Sequence, residues 1–170
     1  MGVPKTEASI MQHEMVMNVL RDPLAEEMFH SPLLTRLGYN GLDGSPRVVP
    51  IGYVWNGTSF IMCTATNAPK VRALTANPKV ALSIDTDTSP PHILLVRGSA
   101  SVEIVDGIPD EFLEASRKGV PAEQWSAFEG QVRALYPQMA RITIQPEWAK
   151  LIDFETTLPS AVEELIRGRS

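Results

Sequence analysis

The chain has 170 residues, 44% of them hydrophobic and 21% charged, the balance of a globular domain long enough to bury a substantial core, which excludes disorder and fibrous repeats. Twenty acidic against fifteen basic residues leave a formal charge of -5 at pH 7, opposed to general attraction for nucleic acid, which is bound mainly through clustered Lys and Arg. Any anion site must therefore be local.

Residues 1–12 show no clear period and are expected to form a loose arm. A helix is predicted from about Glu14 to Met28, with Val16, Leu20 and Leu24 on one face, ended or kinked near Asp22 by Pro23; it is expected to pack as a lid. Residues 31–65 then carry strand-like runs separated by "NGLDGSP" and "NG", the punctuation of a β-meander. In "RVVPIGYVW", Val49, Ile51 and Tyr53 alternate with Pro50, Gly52 and Val54, so side chains project to two faces. Pro50 has no N–H and is tolerated only on an edge or at a bulge. A strand containing "PIG" either is a simple edge strand or leaves its backbone open to something flat. The run "SFIMCTA" reads as a buried strand. It holds Cys63, the single cysteine, which has no internal disulfide partner and, with no basic neighbour in sequence, reads as a small buried hydrophobe rather than a catalytic thiol.

"TATNAPKVRAL" (64–74) carries the chemistry. Asn67 is expected to cap a short helix with Ala68 and Pro69 in its first turn and with Val71 and Leu74 toward the core. Free N–H groups and the helix dipole attract an anion at such a terminus. Thr64 and Thr66 offer hydroxyls, Lys70 a full charge and Arg72 a bidentate fork. A phosphate monoester matches that donor set, against the plainer alternative of a capped surface helix; Arg72, two residues beyond Lys70, need not share its face.

"NPKVALSID" follows as a strand with Val80, Leu82 and Ile84 on one face, "TDTSPP" as a loop, and "HILLVRGSASVEIV" as a long strand bent at Gly98. Helices are predicted over about 109–117 and 121–135, separated by "KGVP". "MARITIQPEWAKLIDF" suggests two closing strands around a turn at Pro146, and "LPSAVEELIRG" a terminal helix ending at Gly168. The alternating units of a doubly wound fold are missing, so the order predicts a mainly β, α+β architecture: a small antiparallel barrel with peripheral helices.

From "PRVVPIGYVW" through the strand ending in Thr to "APKVRALTANPKVALSID", the sequence resembles the pyridoxamine 5'-phosphate oxidase-like family, the FMN- and F420-binding split β-barrels, over roughly residues 32–155. The resemblance implies a split antiparallel β-barrel of the FMN-binding type. It organises the chain as an N-terminal arm and helix over 1–31, the flavin-binding barrel over 32–155 and a C-terminal helix over 156–170, a single domain overall. It also implies that Thr66, Asn67 and Lys70, backed by Val71, hold a flavin phosphate, and that the ring lies along the strands carrying Arg47, Val49, Pro50, Ile51 and Thr64. A homodimer with the cofactor at its interface is implied too, with His92 and Trp148 as possible contacts from the partner chain. The C-terminal arginine and histidine segment that grips pyridoxal phosphate in the authentic oxidase has no counterpart, "PEWAKLIDF" standing there instead.

The expected function is therefore an FMN- or F420-dependent oxidoreductase passing a hydride or electron pair to a small unsaturated acceptor, not oxidation of pyridoxamine phosphate. FMN is preferred, because the glutamate tail of F420 favours a basic groove and the chain offers few bases beyond Arg36, Arg47, Lys70, Arg72 and Lys79. Haem ranks third. The alternative is a non-catalytic flavin- or haem-binding protein, with His92 as an axial ligand. His13 and His30 have no second ligand at zinc spacing, so no metal is expected. Trp55 and Trp125 read as packing. No apolar run approaches the roughly 20 residues that span a bilayer, and the N-terminus lacks the order of a secretion signal, so a cytoplasmic protein with no membrane or nucleic-acid partner is expected.

Overall fold

The computed structural model describes residues 6–169. Its elements are α1 (Glu7–Leu20), α2 (Pro23–His30), β1 (Thr35–Asn40), β2 (Pro46–Ile51), β3 (Val54–Trp55), β4 (Phe60–Ala65), α3 (Pro69–Ala76), β5 (Lys79–Asp85), β6 (Ile93–Asp106), α4 (Asp110–Arg117), α5 (Trp125–Leu135), β7 (Gln138–Ile152) and α6 (Ser160–Arg167), with a 3-10 turn at Ala122–Gln124 before α5. The strands form one antiparallel sheet in the order β2-β1-β5-β6-β7-β4-β3.

The N-terminal region corrects two expectations. Residues 7–12 are helical rather than a loose arm; residues 1–5 lie outside the described residues. Thr6 caps α1 by accepting a bond from the Ser9 N–H at 3.3 Å, and Glu7 in the first turn complements the dipole. Only Val16, Met17 and Leu20 of α1 are buried, so its first half carries no apolar period to read. The break expected near Asp22 is present, but it separates two helices rather than kinking one that runs on to Met28: α1 ends at Leu20 and Pro23 starts α2. Asp22 accepts from the Leu24 N–H at 2.9 Å with Pro23 in the first position of α2, where a missing N–H costs nothing.

β2 lies at the sheet edge, where Pro50 opposite Arg36 interrupts no second ladder. Val80, Leu82 and Ile84 point inward from β5 as the alternation predicts. The third correction concerns the C-terminal strands. No turn occurs at Pro146: β7 runs unbroken from Gln138 to Ile152 and pairs with β6 along its length. Gly98 faces Pro146 while Arg97 faces Trp148, which leaves Glu147 as the extra residue of a bulge, a place where proline is tolerated. The extra residue bends both strands without separating them. Gly98 is required there, because a Cβ would collide with the Gln145 carbonyl.

One core gathers Val16, Met17 and Leu20 of α1, Met28 and Phe29 of α2, Leu37, Tyr53, Phe60, Met62, Leu82, Ile84, Leu94 and Ile142, with Val49 and Ile51 of the edge strand packed against it. Phe29 meets Phe60 edge-on at 5.6 Å and Trp55 at 5.5 Å, so α2 closes the end of the core with aromatic contacts. α4 is held over β4 and β7 by Arg141, which bonds Glu111 of the helix at 3.2 Å and Glu103 of β6 at 2.9 Å.

Gly98→Ala should lose about 1–3 kcal/mol by overpacking, whereas Gly130→Ala, with open space in mid-helix, should gain about 0.5–1 kcal/mol; urea denaturation of the two variants checks both signs. The Tyr53 hydroxyl is buried without a hydrogen-bond partner among the described residues. Tyr53→Phe should therefore hold or raise stability, by up to about 1 kcal/mol, since only an unsatisfied group is removed; a melting temperature clearly below wild type would contradict this.

Candidate functional site

The loop from β4 into α3 brings together part of the expected phosphate set. Ala68, not Asn67, occupies the cap position of α3, with Pro69 first in the helix and no side chain capping it. Asn67 falls one residue too early because Pro69 forces Ala68 into extended backbone (φ -61°, ψ 137°). The Val71 N–H returns to the Ala68 carbonyl at 2.9 Å. Pro69 has no N–H to offer, so the Lys70 N–H is the orphan donor of the first turn. The Lys70 ammonium stands 3.4 Å from Thr64 Oγ1, and burial holds its pKa below the usual lysine range with no carboxylate acting to restore it. Thr64, Lys70 and the open helix start thus form one donor cluster. Thr66 is exposed beside it and Val71 is buried beneath it.

Arg47, Asn67 and Arg72 line a neighbouring cavity of about 410 Å³ with Pro69 and Tyr39. Arg47 is engaged there by Asp43 at 2.8 Å, and hydrogen bonds from the Ser45 backbone and then Arg47 hold the Asp43 carboxyl below its ordinary range. Both partners are largely exposed, so this pair is a weak tether that an anion can displace. Along β2, Val49 and Ile51 are half-buried while Pro50 is exposed, so the strand presents two faces rather than one row. His92 and Trp148 join neither group. His92 sits before β6, its N–H bonded to Thr86 Oγ1 at 2.9 Å, and Trp148 lies under the Arg97 guanidinium at 4.3 Å.

A second cavity, of about 360 Å³, escaped the sequence reading. It lies between the β2–β3 connection, β4 and the α4–α5 unit, lined by Ile51, Tyr53, Cys63, Phe112, Phe128 and Lys118 among others. Phe112 and Phe128 stack at 6.3 Å and 13°, joining the two helices. Lys118, just past the end of α4, donates to the Tyr53 carbonyl at 2.8 Å and lies 4.2 Å from that ring's centre. In sequence it belonged to "KGVP", legible only as a break between helices. Cys63 faces this cavity. Burial first, and Glu111 second, push its thiol up to about 12. Among the described residues no group of three or more His, Cys, Asp or Glu is placed to hold a metal, and no helix is long and apolar enough to cross a membrane.

A seven-stranded antiparallel sheet curled around one core, an edge strand with an open backbone and a donor cluster at the start of α3 define the class of split antiparallel β-barrels. Residues 22–152 match the model of the family described as pyridoxamine 5'-phosphate oxidase, well over half of the chain. The chain belongs to that family. Solved structures with the same fold include an F420 reductase, 22% identical with a TM-score of 0.55, covering 74% of this chain and 94% of its own. The haem storage protein HutZ from Vibrio cholerae is 20% identical at a TM-score of 0.54, covering 77% and 92%. General Stress Protein 26 from Bacillus anthracis str. Sterne is 16% identical at 0.53, covering 83% and 93%. At these identities the likeness is one of fold. No curated protein matches the sequence.

A thiol with so high a pKa carries almost no thiolate at about pH 8. Cys63 should react with a disulfide reagent at least about a hundredfold more slowly in the native protein than in concentrated guanidinium chloride; comparable rates would show that the cavity wall is open to solvent.

Proposed function

We propose that the protein is an FMN- or F420-dependent oxidoreductase that transfers a hydride or electron pair to a small unsaturated acceptor. The observation that carries this reading is the Lys70 ammonium, partly desolvated and without an ionic partner, beside Thr64 and the uncapped start of α3. A partly desolvated, unpaired cation at a helix N-terminus is costly unless an anion completes it. A phosphate monoester fits, since it accepts from the ammonium, the Lys70 N–H and the Thr64 and Thr66 hydroxyls at once. Asn67 and Arg47 are the next nearest donors, around the adjoining cavity.

A flat ring fits the other half of the site. β2 has no partner on its outer side, so its backbone groups are free to bond ring heteroatoms, while Val49 and Ile51 supply an apolar floor. Pro50 removes one competing donor and blocks strand addition on that edge. Val71 fixes the α3 turn from below. When bound, the flavin or deazaflavin supplies the redox chemistry; the residues of this chain anchor its phosphate, orient the ring and exclude water. FMN is favoured over F420, because Arg36 and Lys79 are paired with Asp85 and Glu147, leaving few free cations for a polyglutamate tail. We further infer a homodimer with the cofactor at its interface, His92 and Trp148 reaching it from the second copy, residues 32–155 as the flavin-binding unit and a cytoplasmic location. "PEWAKLIDF" lacks the groups that would grip pyridoxal phosphate, so oxidation of pyridoxamine phosphate is not part of the proposal.

Titration of apoprotein with FMN and with F420, followed by fluorescence, tests the reading. One cofactor should bind in the micromolar range or tighter, and Lys70→Ala should weaken it roughly tenfold, as loss of a charge-assisted contact requires. Binding of neither overturns the proposal. A Soret band on haem addition that disappears in His92→Ala would instead establish the haem-binding alternative.

A further inference from the structure

We propose that the cavity under α4 and α5 is a separate binding site for a small planar aromatic carboxylate, with Lys118 as the residue that selects the anion. The shape and lining specify the body of the ligand. The space is about 360 Å³, at the lower end of the range that holds small organic molecules, about 300–1,000 Å³. The stacked Phe112 and Phe128 rings, with Ile51, offer flat apolar surfaces suited to a planar ring, while Tyr53, itself buried in the core, contributes its backbone carbonyl.

The polar inventory specifies its head. Among the lining residues Lys118 carries the only charge. The Ser116 hydroxyl is spent on the Phe112 carbonyl at 2.7 Å, and the Cys63 thiol stays neutral. One of the three ammonium protons of Lys118 goes to the Tyr53 carbonyl, which leaves two free to donate to a ligand. Glu114 is near enough to favour the charged form but makes no ion pair with it, and burial outweighs that help, lowering the lysine's pKa. A carboxylate at the mouth would supply the missing counter-charge and accept both protons.

The site is centred apart from the donor cluster at α3, with Ile51 bordering both it and the β2 floor proposed for the ring. Cys63 and Thr64 are successive residues of β4 and project to opposite faces of the strand, so the cavity and Lys70 stand on opposite sides of it. The inference therefore does not depend on the cofactor reading and can be tested without any flavin.

The probe is 2-naphthoate, measured by calorimetry against apoprotein, with the neutral amide of the same ring system as comparison. Wild type should bind the acid at least tenfold more tightly than the amide. Lys118→Met should remove that preference while leaving the amide within about twofold, and Lys118→Arg should keep most of it. Ala115→Phe, which fills the cavity from α4, should abolish binding of both, and Lys70→Ala should change neither. No binding of naphthoate to wild type, or equal affinity in folded Lys118→Met, overturns the proposal. Because Lys118→Arg retains the charge, a loss of affinity through misfolding of the Met variant is recognised by its lost amide binding.

Discussion

Everything in this fold hangs on the long antiparallel pair of β6 and β7. β5 bonds β6 over Ile93–Ser99, whereas β4 bonds β7 over Met139–Ile144, opposite residues 100–105 of β6. The two wings of the sheet are thus attached on opposite sides of the spine and at opposite halves of it. The bulge at Gly98 and Glu147 sits where one half gives way to the other. A flat spine would hold the wings apart. Bent there, with the added twist that a bulge brings, it lets Val49 and Ile51 of β2 in one wing and Phe60 and Met62 of β4 in the other share a single core.

That closure determines what the site can be. β2 reaches the core without acquiring a second neighbour, so its side chains are anchored while its backbone stays available. α3 follows β4 directly, and its open first turn emerges at the Thr64 end of the strand, where β4 leaves the ladder with β7. The phosphate-type donors and the exposed strand edge are therefore consequences of one geometry: a barrel joined along its spine and left split between its wings.

Much of this was legible because it is local. The alternation in "KVALSID", the glycine bend at Gly98, the edge role of Pro50 and the helix ending at Gly168 each rest on a rule that acts over a few residues. Asn67 and Pro146 misled for the same reason. Asn67 is a good cap by type, but Pro69 shifts the cap to Ala68. Pro146 is a turn former by type, but the bulge opposite Gly98 absorbs it, and only the pairing partner, nearly fifty residues away, reveals that. α1 began earlier than its apolar pattern because its first turns face outward and are specified by a cap, not a core. Lys118 was invisible, since its meaning comes from Tyr53 and two phenylalanines on separate helices. The cofactor contacts proposed for His92 and Trp148 would involve a second chain and cannot be read from one.

The charge distribution explains how an acidic chain offers anion sites at all. Net charge is a sum, while a site depends on which cations are left over after pairing. Arg36, Arg47, Lys79, Arg133, Arg141 and Lys150 each meet a carboxylate, and Arg97 and Arg117 lie over Trp148 and Trp125. Those at the surface contribute little stability, but the pairing withdraws their fields from solvent. Among the cations without a carboxylate partner, Lys70 and Lys118 stand out: both are partly desolvated and both have depressed pKa values. Each costs the folded chain some stability as it stands. A partly buried charge left unpaired in this way is a binding energy held in reserve, because the anion that completes it recovers the desolvation already incurred. With the excess carboxylates repelling anions elsewhere, such partly buried cations are where the proposed anion capture would concentrate.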